Sequence, residues 1–188
     1  MNRPALSTTI TRNIFVGLMP DAGVQMAIHD YRQRCQWPCG HWLPRPERLH
    51  LTLHHLGEVP VRRLQVLRDL LRQARMEPFE LILRPPRTLG EIGAMTARRH
   101  DGLRAFHGCL GSLLKASGFE STGGTRPHVT LAYRAAGAKP PATAPEIVWI
   151  AREFMLIWSQ LPPRFNRGHH EILARYGAGV PAQMRLFA

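Results

Sequence analysis

A short strand-like motif occurs twice in the sequence, and its residue pattern dictates how each copy folds. The first copy, HLTL, occupies residues 50–53, and the second copy, HVTL, occupies residues 128–131. Successive side chains of a β-strand point to opposite faces of its sheet. Each copy is therefore predicted to bury two aliphatic side chains and to present a histidine and a threonine together on the other face.

The polar faces of these two strands carry side chains suited to phosphoryl transfer. If the strands meet across a cleft, one imidazole can take a proton from an attacking oxygen while the other gives a proton to a leaving oxygen. The pKa of a free imidazole is about 6.5, which suits both roles. The hydroxyls of Thr52 and Thr130 can bind the nonbridging phosphate oxygens. Either motif alone could instead be an ordinary half-buried strand whose histidine lies at the surface without a catalytic role. Two copies in one chain weaken that alternative.

The rest of the sequence alternates strand patterns with amphipathic helix patterns. Apolar spacing predicts helices, the first capped by Asp21, over residues 22–35, 61–75 and 101–117. Apolar runs bounded by proline and glycine predict strands over residues 13–18, 48–57, 79–84, 93–99, 126–134, 147–159 and 171–176. This order predicts an α+β fold in which two lobes of mostly antiparallel sheet form a single domain.

The charge of the chain is strongly positive. Lys and Arg number 25 against 13 Asp and Glu, which gives a formal net charge of +12, and nearly all of the positive charge is arginine. Arginine matches phosphate oxygens well and a positive field concentrates nucleic acid, so one interpretation is a polyanionic partner. The other interpretation is a composition bias that leaves arginines on a solvated surface.

The sequence predicts no disulfide framework, metal centre or ATP site. The three cysteines, Cys35, Cys39 and Cys109, are odd in number, and Cys35-x3-Cys39-x-His41 does not match a usual zinc spacing. The pattern G-x4-G-K-[ST] does not occur. The apolar run at residues 15–19 is too short for a signal peptide core or a membrane span, so we expect a cytoplasmic protein without a membrane partner.

The paired motifs and their flanks resemble the two-histidine (2H) phosphoesterase superfamily. Within it the chain is similar to the LigT-like group of RNA 2′,3′-cyclic phosphodiesterases and 2′-5′ RNA ligases. The similarity includes LGEV at residues 56–59, RP at 126–127, NIFVGLMPD at 13–21 and the closing segment 151–177. The resemblance implies one LigT-like domain over residues 1–188, with two lobes related by a pseudo-twofold and an active site in the central cleft.

The resemblance also implies a function. His50 and His128 correspond to the catalytic pair, and Thr52 and Thr130 to the phosphate ligands. For hydrolysis of an RNA 2′,3′-cyclic phosphate end to a 2′-phosphate, we expect His128 to activate water and His50 to protonate the departing 3′-oxygen. The reverse reaction with a 5′-hydroxyl would give 2′-5′ ligase activity. No cofactor or metal is expected, and the protein is expected to be a monomer.

The sequence departs from the family pattern just after the second motif. Relatives often carry arginine five residues after the second histidine, where this chain has Tyr133. Strand alternation places Arg134 on the face of His128, so Arg134 is one candidate phosphate ligand and Arg126 is another. If neither arginine binds the phosphate, the chain lacks the phosphate-binding arginine of its relatives and its substrate range differs from theirs.

Several other side chains are candidates for contact with the base of a nucleotide. Strand alternation places His54 on the catalytic face, where it could contact the base. Phe15 lies in the first predicted strand and could stack on the base; the alternative is that Phe15 is a core residue. Trp37 and Trp42 lie in a proline-rich loop before the first motif and could form a lid or a base platform. Two other functions stay open: hydrolysis of a small cyclic nucleotide or of an ADP-ribose-type cyclic phosphate, and RNA binding without turnover.

Overall fold

The computed structural model describes residues 9–121, 126–141, 146–161 and 168–177. The strands are β1 (Thr11–Leu18), β2 (Leu51–Pro60), β3 (Phe79–Leu83), β4 (Arg87–Leu89), β5 (Ile92–Thr96), β6 (His128–Tyr133), β7 (Ile147–Ala151), β8 (Glu153–Gln160) and β9 (His169–Gly177). The α-helices are α1 (Ala22–Gln33), α2 (Leu64–Leu71) and α3 (Asp101–Ala116). Short 3₁₀ turns, Pro46–Arg48 and Val61–Arg63, precede β2 and α2.

The strands form one large sheet and one small sheet, and all described pairings are antiparallel. The large sheet has the order β4-β5-β6-β2-β1-β8-β9, and β3 pairs with β7 in the small sheet. This arrangement confirms the predicted α+β class with mostly antiparallel strands. The two halves of the large sheet, β4-β5-β6 and β2-β1-β8-β9, join where β2 meets β6.

The junction between the two halves is narrow. A single residue pair, Leu51 with Val129, links β2 to β6 in the described register. The strands that carry the two histidine motifs are therefore direct neighbours in one sheet, which brings together residues 78 positions apart in the chain.

A hydrophobic core lies between the large sheet, the small sheet and the helices. Helix α3 contributes residues at helical spacing, Leu103, Phe106, Leu110 and Leu114, all of them buried. The motif residues Leu51, Leu53, Val129 and Leu131 are buried in the same core, as their alternation predicts. Asp21 caps α1 as predicted, because its carboxylate accepts a hydrogen bond from the Val24 amide at 3.0 Å.

The opposite face of the large sheet carries a second, smaller apolar cluster. Phe15, Met155 and Ile157 form this cluster, and Met19 and Ile172 pack against it. Gly17 lies opposite Thr52 in the β1–β2 register, so Phe15 shares the face of Thr52 and His50. This face carries the candidate site.

The structure differs from the predicted elements in three places. Strand β4 lies where the sequence predicts a proline-containing connection, and the predicted strand 147–159 is broken at Arg152 into β7 and β8. Helix α2 ends at Leu71, earlier than predicted. No helix in the described segments is long and apolar enough to cross a membrane.

Candidate active site

The two histidine motifs lie side by side on one face of the large sheet. Leu51 pairs with Val129 and the strands run antiparallel, so the register sets His50 opposite Thr130 and Thr52 opposite His128. The aliphatic residues between them are fully buried, whereas both histidines and both threonines are only partly covered. The register thus places four polar side chains around one point above the junction.

Each histidine ring is held by the same hydrogen bond. His50 Nδ1 lies 2.7 Å from the carbonyl oxygen of Arg48, and His128 Nδ1 lies 2.9 Å from the carbonyl oxygen of Arg126. A carbonyl oxygen only accepts, so Nδ1 donates in both cases. The Nε2 atoms are left as the reactive nitrogens: each can accept a proton on a neutral ring or donate one from a protonated ring.

The ring of His50 is enclosed on the side away from β6. Phe15 packs against it with ring centroids 4.6 Å apart, and His170 packs edge-on at 4.8 Å. Burial, together with the positive charges of Arg48 and His128, lowers the pKa of His50 to about 4. The lowered pKa favours the neutral form of the His50 ring at physiological pH.

His170 is a site residue that the sequence did not reveal. The ring of His170 contacts the rings of both His50 and Phe15. Its Nε2 lies 3.4 Å from Arg48 Nη2, and an arginine only donates, so His170 accepts this bond as a neutral ring. Burial and the nearby His50 and Arg48 lower the pKa of His170 to about 3.

An aromatic pair borders the site on the β6 side. Trp42 and Tyr133 exchange backbone hydrogen bonds of 3.0 and 2.8 Å, and their ring centroids lie 4.9 Å apart. Both rings are exposed, Trp42 by 46% and Tyr133 by 37%. Arg48 Cζ lies 5.4 Å from the Trp42 ring, so this pair adjoins the surroundings of His50. Trp37, by contrast, donates its indole N–H to the Arg32 carbonyl at 2.9 Å and packs over Gly93.

A basic cavity lies on the other side of the site. Its volume is about 430 Å³, and Thr52 and Arg126 contribute to its wall. The other basic side chains that line it are Arg98, Arg99, His100, Arg104 and His107, against the single acidic residue Asp101. Arg126 is exposed, so its side chain is available beside the site for an anion.

The predicted placement of Arg134 does not follow from strand alternation. The β5–β6 register slips where Ala94 pairs with Thr130 and Gly93 pairs with Ala132, so Leu131 and Ala132 are both buried. Arg134 follows the end of β6, is exposed, and has a positive φ of 52°. The prediction that Arg134 lies on the face of His128 is therefore wrong, because the slip and the left-handed turn both break the alternation. Its role as a phosphate ligand stays a prediction.

A similar slip redirects His54. Val16 pairs with His54 and Gly17 pairs with Thr52, which leaves Leu53 as an extra residue in β2. His54 turns toward helix α3, where Nε2 donates to the His107 carbonyl at 3.0 Å and Nδ1 lies 2.9 Å from Ser121 Oγ. With 4% exposure, His54 does not reach the catalytic face, so the prediction of a base contact for His54 is corrected.

Phe15 lies on the catalytic face, but it is 3% exposed and its ring packs against His50 and His170. The structure places Phe15 beneath the site as a packing residue, and a contact with a base stays a prediction. Gly17 makes this packing feasible, because a Cβ at that position would lie 3.1 Å from Phe15 Cε2 and 2.9 Å from the Leu51 carbonyl oxygen.

Within the described segments, no three His, Cys, Asp or Glu side chains come together as a metal-binding group. The cysteine residues are free where they are described, with Cys35 buried and Cys39 and Cys109 exposed.

Paired His-x-Thr strands at the junction of two antiparallel half-sheets define the 2H class of phosphoesterases. The family described as the 2′-5′ RNA ligase superfamily matches residues 20–159, more than half of the chain. The protein therefore belongs to the 2′-5′ RNA ligase superfamily.

Solved structures share this fold. A crystal structure described as a phosphoesterase superposes with a TM-score of 0.75 at 24% identity, covering 88% of this chain and 98% of that chain. Escherichia coli LigT complexed with 3′-AMP gives 0.73 at 23% identity, with 89% and 98% covered. A Thermus thermophilus protein, TT0787, gives 0.68 at 24% identity, with 94% and 100% covered. No curated protein matches the sequence.

Proposed function

We propose that the protein is an RNA 2′,3′-cyclic phosphodiesterase that hydrolyses cyclic phosphate ends to 2′-phosphomonoesters by acid–base catalysis of two histidines. One observation supports this most strongly. Two imidazoles on neighbouring strands make the same Nδ1 contact to a carbonyl oxygen, and the register sets a threonine opposite each ring. The family and the LigT-like fold agree with this chemistry.

The reaction divides between the two rings. Nε2 of one ring accepts a proton from water as the water oxygen attacks phosphorus, and the P–O3′ bond breaks. Nε2 of the other ring gives a proton to the departing 3′-oxygen, which leaves a 2′-phosphomonoester and a free 3′-hydroxyl. The hydroxyls of Thr52 and Thr130 donate to the nonbridging oxygens, where negative charge increases.

The surroundings of the rings favour an assignment opposite to the one expected from the resemblance. His50 is packed among Phe15, His170 and the Arg48 charge, which oppose a second positive charge, and its pKa is lowered to about 4. A general acid has to carry its proton before the reaction, whereas a general base has to be neutral. In this proposal His50 is the base that activates water, and His128 is the acid.

The basic and aromatic surfaces around the site favour RNA over a small cyclic nucleotide. The arginine-lined cavity beside Thr52 can attract the backbone phosphates next to the terminal cyclic phosphate. The exposed rings of Trp42 and Tyr133 offer a surface on which an unpaired base can stack. A mononucleotide would use the catalytic centre but not the cavity.

The same geometry supports ligation. If a 5′-hydroxyl of a second RNA replaces water, it attacks phosphorus, the P–O3′ bond breaks, and a 2′-5′ phosphodiester forms without a nucleotide cofactor while the two rings keep their proton roles. In the reverse step the 3′-hydroxyl attacks phosphorus and the 5′-oxygen leaves, so the two rings exchange their proton roles.

The test is turnover of a cyclic-phosphate-ended oligonucleotide in EDTA, with the product analysed for a 2′-phosphomonoester. We expect hydrolysis that EDTA does not reduce, and a higher kcat/KM for the oligonucleotide than for a 2′,3′-cyclic mononucleotide. Equal values would favour the small cyclic substrate. Tight binding of the oligonucleotide without any product would support an RNA-binding module instead and would contradict the proposal.

A further inference from the structure

Arg48 is a buried cation beside the active site whose guanidinium contacts no substrate group in the mechanism above. It ends the 3₁₀ turn that leads into β2, two residues before His50, and is 7% exposed. Within the described residues no carboxylate forms an ion pair with Arg48, and its Nε has no hydrogen-bond partner. Its neighbour Glu47 pairs instead with Arg45. A buried charge without a counter-ion is costly, so proteins rarely keep one without a use.

Neutral groups hold the guanidinium of Arg48 on the side of the sheet that carries His50. Nη2 donates to His170 Nε2 at 3.4 Å, and the His170 ring lies against His50. The ring of Trp42 lies 5.4 Å from Cζ. Gly168 leaves room for the other end of the group, because a Cβ there would lie 2.5 Å from Arg48 Nη1. These contacts fix the position of the guanidinium without neutralising its charge.

We infer that Arg48 is the cation that binds the phosphate of the substrate, and that His170 is a positioning residue that orients the Arg48 guanidinium. This inference rests on the proposed phosphodiesterase function. It also accounts for the departure from the family pattern at position 133. Tyr133 occupies the place of the usual strand arginine, and its ring packs on Trp42, which in turn adjoins Arg48. In this chain the cation comes from the residues before the first motif instead of from the second motif.

The chemistry of the group fits this role. A guanidinium presents a planar fork of N–H donors that matches two oxygens of a phosphate. The Nε–H of Arg48, which has no hydrogen-bond partner among the described residues, is one such donor. Binding an anion would supply a direct ion-pair partner, which no carboxylate of the described residues provides. His170 can orient Nη2 only as a neutral ring that accepts, and burial beside Arg48 and His50 keeps the pKa of His170 low.

The first experiment measures binding of inorganic phosphate by calorimetry, which does not depend on turnover. We compare the wild-type protein with Arg48→Lys, which keeps the charge but loses the fork, and with Arg48→Met, which loses both. Arg45→Met is the matched control, since Arg45 is an exposed arginine of the same turn. The expected result is phosphate binding at least about tenfold weaker in both Arg48 variants and unchanged in the control. Unchanged binding in Arg48→Lys and Arg48→Met would overturn the inference.

Thermal stability separates a binding role from a structural role. If Arg48 serves the ligand and not the fold, Arg48→Met keeps or raises the melting temperature without phosphate and loses the increase that phosphate causes in the wild type. If the Arg48 variants do not fold, Gly168→Ala provides the test, because it displaces the guanidinium and leaves every charge in place. Undiminished phosphate binding in a folded Gly168→Ala protein would then count against the inference.

The positioning role of His170 is tested by a pair of variants. His170→Gln keeps an acceptor for Arg48, and His170→Phe keeps a ring but removes the acceptor. We expect His170→Phe to raise the KM for the cyclic-phosphate oligonucleotide several-fold more than it lowers kcat, and His170→Gln to restore most of that loss. Equal effects of the two variants would contradict the positioning role. A wild-type protein that binds phosphate through Arg48 but opens no cyclic phosphate would refute the proposed function alone.

Discussion

The two motif strands repeat one hydrogen bond but place their histidines in different surroundings. Both rings donate Nδ1–H to the carbonyl two residues earlier. His50 is then enclosed by Phe15 and His170, whereas no described aromatic ring packs on His128 at the start of β6. The repeated bond fixes which nitrogen faces the substrate, and the unequal surroundings fix which ring resists a positive charge. A symmetric scaffold can therefore carry an asymmetric pair of proton-transfer groups.

Removal of either ring tests what the two strands share. We expect His50→Ala and His128→Ala each to lower kcat by about 10²-fold to 10⁴-fold, because each removes one proton transfer. The measurement is turnover of the cyclic-phosphate oligonucleotide in EDTA, with circular dichroism to verify folding. His41→Ala, in an exposed loop outside the site, is the control. A folded variant of either catalytic position that retains wild-type turnover would show that the pairing is wrong.

A change of leaving group tests how the two rings differ. A nucleotide 4-nitrophenyl phosphodiester releases an anion that needs no proton, so loss of the general acid costs little with this substrate. We expect the rate of 4-nitrophenolate release to fall by about tenfold or less in His128→Ala. In His50→Ala we expect the rate to fall as much as it does with the oligonucleotide. The readout is the rate of 4-nitrophenolate release by each variant. The reverse order of effects would assign proton donation to His50, as the resemblance implied.

The threonines test whether the symmetry extends to phosphate binding. Thr52→Val and Thr130→Val each remove one hydroxyl donor at nearly constant volume, and we expect each to lower kcat/KM by about fivefold, since one neutral hydrogen bond contributes about 1 kcal/mol. Steady-state kinetics with the oligonucleotide gives both values. An effect confined to one variant would indicate that the phosphate sits nearer to one strand than to the other.

The pH dependence of the free energy of unfolding tests the two enclosed histidines, with a smaller expected effect. In the unfolded chain a histidine has a pKa of about 6.5, whereas burial and neighbouring positive charges lower the pKa to about 4 for His50 and about 3 for His170. The unfolded state therefore binds more protons below about pH 6.5, and the free energy of unfolding falls as pH drops toward 4. The slope is up to about 1.4 kcal/mol per pH unit for each ring.

Urea unfolding at several pH values measures this slope. The slope should decrease in His50→Gln and decrease further when His170→Gln is added. A slope that is the same in the wild-type and doubly substituted proteins would show that neither ring resists protonation in the folded state.

Periodicity predicted the class of the fold and the faces of the motif residues, because burial of alternate aliphatic side chains is a local property. Leu51 and Val129 are buried where alternation places them, and Asp21 caps α1. The same rule failed for His54 and Arg134. A single extra residue in β2 and another in β6 reverse the alternation after Thr52 and Thr130, and sequence spacing gives no sign of such a slip.

The surroundings of His50 could not be predicted from the sequence either. His170 reaches His50 only because the sheet order brings β9 to the same side through β8 and β1. Such an order depends on which strands pair over long distances in the chain, and no local pattern around residue 170 encodes it. Arg48 could not be singled out from the sequence, because it is one of many basic residues in this chain. Only the structure shows that Arg48 is buried.

The narrow junction between the half-sheets has a consequence for dynamics. In the described part of the chain Leu51 with Val129 is the only register pair between β2 and β6, so few backbone hydrogen bonds hold the two motif strands together. Small opening motions at this junction would change the distance between the two rings. A bound phosphate that accepts hydrogen bonds from both strands would tie the halves together. Deuterium uptake at the amides of residues 50–52 and 128–130 should consequently slow when inorganic phosphate is added, while uptake in α2 stays the same.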